Sequence, residues 1–345
     1  MADYTYSELL KLMLSKRDLS REQAHWAFGQ IMDGLWSEAQ VAGLLVALAA
    51  KGEAVAEIAG AATAMREHVL RIDTNGADVL DTCGTGGTGV STFNISTAAA
   101  MVLAGVGVKI AKHGNRTSTR ASGSADVLAA LGVNIDCNAD TVTRCLNQAS
   151  VCFCFAVRCH PAMKYAAPVR KALGVRTLFN LLGPLTNPAG ARRQLMGVFS
   201  PDLTQTVASV LGMLGSTKAM VVHAEDGLDE LSITAPTRVS TWDGHSVSTQ
   251  TVTPEQFGLT RAAMADLLVD SPQASAQAVR DVLAGQKGPR RDIVLLNAAA
   301  ALTVAEKSED IPRGLALAGS SIDSGAALKA LNTLIAVSHG EKETP

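Results

Sequence analysis

Val79-Leu-Asp-Thr-Cys-Gly84-Thr-Gly-Gly-Thr-Gly89-Val-Ser-Thr-Phe-Asn94-Ile-Ser-Thr97 decides how this chain folds. It opens on an apolar run that reads as a strand ending at Asp81. It then crosses Gly84-Thr-Gly-Gly-Thr-Gly89 and enters a helical pattern at Ile95. Glycines let backbone amides come close to an anion, and a helix N-terminus adds free N–H groups and partial positive charge. Hydroxyls follow at Ser91, Thr92, Ser96 and Thr97, so the stretch reads as a phosphate cradle more than as a plain tight turn. The same alternation continues outward. Val106 to Ala111, Val151 to Val157 and Ala219 to His223 are near-continuous apolar runs, and Ile95 to Ala104, Ala125 to Leu131 and Asp140 to Ala149 are helical. Strands apolar on both faces and joined by helices imply a mainly parallel sheet covered on two sides. Residues 235–255 alternate more and hold polar turns, which predicts antiparallel edge strands.

Upstream the pattern differs. Residues 1–73 read as a small all-α domain. Ser20-Arg-Glu-Gln23 and Ser37-Glu-Ala-Gln40 are capping boxes, each followed by apolar residues at helical spacing. The fold class is therefore α/β: a small helical domain, then a larger α/β domain over 74–345. The last residues, from about Gly340, are expected to fray. At 345 residues the length suits about two domains at roughly 150 residues each.

Composition narrows the function. Apolar residues are 47% and charged residues 18%, enough for a sizeable core and against wholesale disorder. A net charge of -2 without a basic stripe, and 4% aromatics, argue against a nucleic-acid surface. No apolar run approaches the roughly 18 residues of a membrane span. The start, Met1-Ala-Asp-Tyr4, lacks the basic and apolar regions of a signal peptide, and six cysteines suit a reducing compartment, so a cytoplasmic location is expected. Cys152, Cys154 and Cys159 beside His160 lack zinc-site spacing and read as core thiols.

Three polar loops follow predicted strands, where open α/β sheets bind ligands. The glycine loop formally fits the dinucleotide fingerprint at Gly84, Gly86 and Gly89. About 20 residues on, however, stand Lys109, Lys112 and His113 instead of a carboxylate, and no Lys-Ser/Thr follows the glycines as a Walker loop requires. The loop suits a diphosphate that is neither a dinucleotide nor a nucleoside triphosphate. The second loop, Lys112-His-Gly-Asn-Arg-Thr-Ser-Thr-Arg120, concentrates cations and hydroxyls ahead of Ser124 and favours an anion site over a merely solvated loop. The third, Asp226-Gly-Leu-Asp229-Glu230, holds adjacent carboxylates that alone read as a solvated pair and, beside the two anion loops, as ligands for Mg2+ with water and phosphate oxygens. Arg170 offers a planar fork for a substrate carboxylate, with a plain surface arginine as the alternative.

Together these segments closely resemble the anthranilate phosphoribosyltransferase family. The resemblance rests on Asp81-Thr-Cys-Gly-Thr-Gly-Gly87, Thr92-Phe-Asn-Ile-Ser-Thr97, Lys112-His-Gly-Asn-Arg116, Gly123-Ser-Ala-Asp126, His160-Pro-Ala-Met163, Val169-Arg170, Arg176-Thr-Leu-Phe-Asn180, Leu182-Gly-Pro-Leu-Thr-Asn-Pro188 and Asp226-Gly-Leu-Asp-Glu230, in family order over about 150 residues. It implies a nucleoside phosphorylase/phosphoribosyltransferase-type fold, with a segment of about 161–186 returning to the helical domain and homodimerisation through that domain. It implies phosphoribosyl transfer from phosphoribosyl pyrophosphate to the amine of anthranilate in tryptophan biosynthesis, with two Mg2+ per protomer and no nucleic-acid or membrane partner. Carried over by position, Gly84, Gly87, Thr88, Thr92, Asn94, Ile95, Ser96, Thr97, Lys112, His113, Gly114, Asn115, Arg116, Thr119, Arg120 and Ser124 would hold the sugar donor. Gly84, Asn115, His160 and Arg170 would contact anthranilate, and Ser96, Asp229 and Glu230 would ligate metal. No acid or base stands out as essential. The chain departs from the family pattern at Thr88, where Asp is usual, at Thr119 and Arg120, where paired serines are usual, and at Val157, where proline is common. A pyrimidine nucleoside phosphorylase and a nucleic-acid-binding paralogue are the alternatives. The Asn94-Ile-Ser-Thr97 and Asp226–Glu230 motifs oppose the first, and the net charge and surviving carboxylates oppose the second.

Overall fold

The computed structural model describes residues 4–87, 89–117 and 121–340. Helices α1 (Tyr6–Leu14), α2 (Arg21–Met32), α3 (Glu38–Lys51) and α4 (Val55–Glu67) come first. The capping boxes at Ser20 and Ser37 form as expected, each serine accepting from the backbone N–H three residues on. Glu57, fully buried, ties this bundle together. It accepts from the Leu19 and Ala54 amides at 2.8 and 2.7 Å and from Lys51 Nζ at 2.9 Å.

The α/β part runs β1 (Leu80–Gly84), α5 (Ile95–Gly105), β2 (Ile110–Gly114), α6 (Ser124–Ala130), α7 (Ala139–Ala149), β3 (Val151–Phe155) and α8 (Ala156–Cys159). It continues through α9 (Ala167–Leu173), α10 (Phe179–Leu185), β4 (Arg193–Gly197), α11 (Leu203–Met213), β5 (Lys218–Ala224), β6 (Thr237–Trp242) and β7 (Val247–Val252). Helices α12 (Pro272–Leu283), α13 (Pro289–Val304), α14 (Ile311–Asp323) and α15 (Ala326–Ser338) close the chain. One seven-stranded sheet has the order β3-β2-β1-β4-β5-β6-β7. Its first five strands are parallel, and β6 and β7 add antiparallel at the edge, as the 235–255 pattern predicted.

Several boundaries differ from the sequence reading. β1 extends to Gly84, so the first glycine of the loop is a strand residue. β2 starts at Ile110, because Val106 and Gly107 turn out of α5, with Gly107 at φ +94. Lys112 and His113 therefore sit on a strand, not a loop. Val157 falls in α8, past the end of β3. β4 escaped the sequence reading entirely. Arg193-Gln-Leu-Met-Gly197 has no β-branched residue and carries two polar side chains, although it is the middle strand of the seven. The expected frayed end falls on residues 341–345, outside those described.

The apolar core divides by sheet face. One cluster gathers α5, α6, α7 and the C-terminal helices. The other joins α1–α4 to α11 and takes in Ala166, Val169 and Leu178 to Leu185 from the segment before β4. The helical bundle thus shares its apolar cluster with one side of the sheet and has no core of its own. No helix among the described residues is long and apolar enough to cross a membrane.

Candidate active site

The chain runs from β1 to β2 on one side, then returns to place β4 on the other side of β1. Such a reversal leaves a crevice beyond the carboxyl ends of the strands. β1 and β4 pair over five residues and end on opposed glycines, Gly84 and Gly197. Asp229, from the loop after β5, lies across both. A Cβ on Gly84 would strike the Asp229 carboxylate, and one on Gly197 would strike its carbonyl oxygen. Asp229 Oδ2 in turn accepts the Gly86 amide at 2.9 Å. The carboxylate loop and the glycine loop, 143 residues apart, are thereby locked together.

Ser96 and Glu230 line one small cavity with Thr82, Cys83 and Asn297. Lys112, on β2, bonds two of these lining residues. Its Nζ donates to the Thr82 carbonyl at 2.5 Å and to Ser96 Oγ at 3.1 Å. Burial lowers the affinity of Lys112 for its proton, opposed by the nearby charges of Asp81, Glu230 and Asp229 and by Cys83. Among the described residues no three His, Cys, Asp or Glu side chains converge as a metal cluster. An ion here would have to use the two carboxylates, the Ser96 hydroxyl, water and ligand oxygens. That donor set is hard and incomplete, which suits Mg2+ and not zinc.

The α5 N-terminus is built from the expected motif, with its members in different roles. Asn94 Oδ1 accepts from Ser122 at 2.6 Å and from Ser275 at 2.7 Å, anchoring the helix start to two other segments. Ile95 is core, its side chain 1% exposed. Thr97 is buried with no hydrogen-bond partner at its hydroxyl. Thr92 pairs with Leu268 in an isolated bridge. In the second loop Arg116 pairs with Asp126 at 2.9 Å, while the Asn115 carbonyl accepts from the Ala125 amide and Ser124 Oγ. Gly114 packs directly under Ser124. The expected donor contacts at Thr88, Thr119 and Arg120 lie outside the described residues.

On the opposite face of β2 His113 meets His160, Nε2 to Nε2 at 3.1 Å. Such a contact holds one proton between two neutral rings. Burial holds His113 down to about 3 and His160 to about 4, so neither is charged near neutrality. Arg170, on α9, lies 5.6 Å from the Phe179 ring and has no ion-pair partner among the described residues. Its charge is disfavoured by burial, which leaves a cation suited to a bound carboxylate.

Four contributors were not singled out by the sequence. Gly197 belonged to the unseen strand. Asp81 and Asn187 were quoted in motifs without a role. Arg176 donates to the Gly87 carbonyl at 2.5 Å and stacks 4.4 Å from the Phe199 ring. Its position before an apolar segment gave no sign that it reaches the glycine loop.

A helical bundle joined to an α/β unit is the architecture of a glycosyl transferase family. The family model of its helical bundle domain matches residues 7–69, and that of its a/b domain matches residues 76–328. Within it the chain belongs to the anthranilate phosphoribosyltransferases. It is 51% identical over 332 residues to the anthranilate phosphoribosyltransferase of Moorella thermoacetica, covering 95% of this chain and 98% of that one. The crystal structure of the Thermus thermophilus anthranilate phosphoribosyltransferase superposes with a TM-score of 0.91 at 41% identity, over 96% of this chain and 99% of that chain. The Saccharomyces cerevisiae enzyme, in complex with PRPP and Mg, gives 0.89 at 30% identity, over 98% of this chain and 99% of that chain.

Proposed function

We propose that this chain transfers the phosphoribosyl group of phosphoribosyl pyrophosphate to the amine of anthranilate, yielding N-(5-phosphoribosyl)-anthranilate and pyrophosphate. The observation that carries this reading is the lock between Asp229 and the glycine loop, next to the cavity lined by Ser96 and Glu230, with Lys112 bonded to Ser96. It sets backbone amides, an ammonium and metal-ligating oxygens around one crevice, which is what a leaving diphosphate needs.

Gly84, Gly87, Thr92 and the α5 N-terminus from Asn94 to Thr97 hold the diphosphate, with Ile95 contributing through its backbone alone. Lys112, Asn115 and Ser124 hold the sugar phosphate and ribose. Arg116 orders the second loop through Asp126 as well as facing the donor. Thr88, Thr119 and Arg120 belong to the same two loops. Ser96, Asp229 and Glu230 would hold Mg2+, two ions per protomer, and such ions would supply positive charge against the negative charge growing on a departing diphosphate. Arg170 fixes the anthranilate carboxylate. The neutral His113–His160 pair, with Gly84 and Asn115, borders the aromatic ring. The aryl amine attacks as a neutral group, so placing it over the anomeric carbon lowers the barrier without a dedicated base.

The unit boundary lies near residue 73, with 161–186 returning to the bundle. The bundle is the homodimer face. Exposed Leu14, Leu35 and Val46, with the Tyr4–Trp26–Trp36–Tyr6 ring cluster, support that reading. The reaction belongs in the cytoplasm, in keeping with six cysteines that are all free thiols.

The test is the loss of anthranilate fluorescence on adding phosphoribosyl pyrophosphate and Mg2+, with a metal-free control. Metal-dependent loss is expected. Folded protein that leaves the fluorescence unchanged overturns the assignment.

A further inference from the structure

The two junctions of β1 are unequal. β1 pairs with β4 over five residues, and β2 pairs with β3 over five, but β1 and β2 are in register at Leu80↔Ile110 alone. Beyond that point side chains bridge the gap. Asp81 Oδ1 accepts the His113 amide at 3.0 Å. Asp81 Oδ2 accepts Asn187 Nδ2 at 2.8 Å, and the same nitrogen donates to the Ala111 carbonyl at 2.8 Å. Lys112 Nζ crosses to the Thr82 carbonyl. Asp81 is fully buried and Asn187 is 6% exposed, so neither side chain is shared with solvent. Asn187 Oδ1 accepts the Ala189 amide at 2.9 Å, which fixes the orientation of its amide. Both carboxylate oxygens are thus engaged by donors whose positions are set by other elements.

Consecutive strand residues point to opposite faces. Lys112 therefore reaches Ser96, and His113 reaches His160 on the other side. One short piece of backbone, residues 111–113, places both, and Asp81 and Asn187 tie that piece to β1 across the gap. We propose that Asp81 and Asn187 form a buried strut that sets the gap between β1 and β2, positioning Lys112 for the phosphoribosyl donor and His113 for the aromatic acceptor at once. They are positioning residues and touch neither substrate. The assignment of the two faces rests on the activity proposed above.

Asp81→Asn is the direct test. An asparagine has one acceptor oxygen where two donors converge, so at least one bond of the strut is lost. The expected result is a rise of about tenfold or more in KM for both substrates, since displacements near 1 Å cost on that order or beyond. Amide hydrogen exchange at His113 quickens in the same variant. Asn187→Ala, the milder change, gives the same two-sided pattern more weakly, and serves if Asp81→Asn does not fold. Because the two act as a unit, the double variant loses little more than Asp81→Asn alone. A folded Asp81→Asn with both KM values unchanged, a change in one KM only, unchanged His113 exchange, or additive losses in the double variant each overturn the strut. An inactive wild type would overturn the activity reading instead. The strut would then be judged on His113 exchange and on non-additive thermal stability of the double variant.

Discussion

β1, the middle one of the five parallel strands, has two neighbours that do different work. Toward β4 the ladder is complete and ends in two opposed glycines, so the backbone itself makes a floor on which the Asp229 loop lies. Toward β2 the ladder stops after one pair and buried side chains take over. The closed junction sets backbone and carboxylates close together. The open junction gives side chains room to reach into the cleft on both faces. A parallel sheet with uniform ladders would offer amides at its rim and little space for a lysine and a histidine pair within it.

The largest effect should come from the closed side. Asp229→Asn with Glu230→Gln is expected to abolish Mg2+-dependent turnover, a loss on the order of 10³-fold or more in kcat. Near-normal rates at limiting Mg2+ would remove these carboxylates from the metal assignment. Next, Gly197→Ala puts a methyl group onto the Asp229 carbonyl, which is backbone and cannot swing aside. A loss of about 10²-fold in kcat/KM is expected. Gly84→Ala meets only the Asp229 side chain and should cost less, so the ratio of the two variants measures how far the closed junction depends on backbone contact.

Away from both junctions, on α9, Arg170→Gln should raise KM for anthranilate on the order of 10- to 100-fold, the cost of leaving a carboxylate without its cation. KM for the sugar donor should stay the same. If both rise, Arg170 does not separate the two substrates.

The smallest effect is on stability. His113 and His160 resist protonation in the fold, at about 3 and about 4, whereas an unfolded histidine takes up its proton near 6.5. Below that value the unfolded state binds more protons. The stabilisation is therefore complete above about pH 6.5 and falls as pH drops toward about 4. Lowering pH from 7 to 5 should cost roughly 2 kcal/mol for each ring that stays neutral, several degrees in Tm. His160→Gln should flatten that slope, and an unchanged slope would show that other groups govern it.

Much of this was legible before any coordinates. The capping boxes fixed two helix starts because their signal is local: a serine and a glutamine three residues apart satisfy each other's backbone. The glycine loop, the lysine-histidine loop and the Asp229–Glu230 pair announced themselves because anion chemistry needs rare local compositions. Neither β4 nor its partner role was legible. Gln194 is buried there only because its amide finds the Pro184 carbonyl and the Cys83 thiol, from other elements. The roles of Asp81 and Asn187 were equally hidden, since an acidic residue at a strand end looks alike whether it faces water or pins two strands.

The sequence by itself determined most of the element types, the antiparallel edge, the carboxylate loop, and through its motifs the family resemblance. These follow from periodicity and from residue chemistry within about twenty positions. The tertiary structure alone decided which strands close and which part, that Asp229 lies on Gly84 and Gly197, and that Lys112 and His113 serve opposite faces of one strand. Those facts depend on burial and on hydrogen bonds between residues as far as 143 apart, which no local pattern encodes.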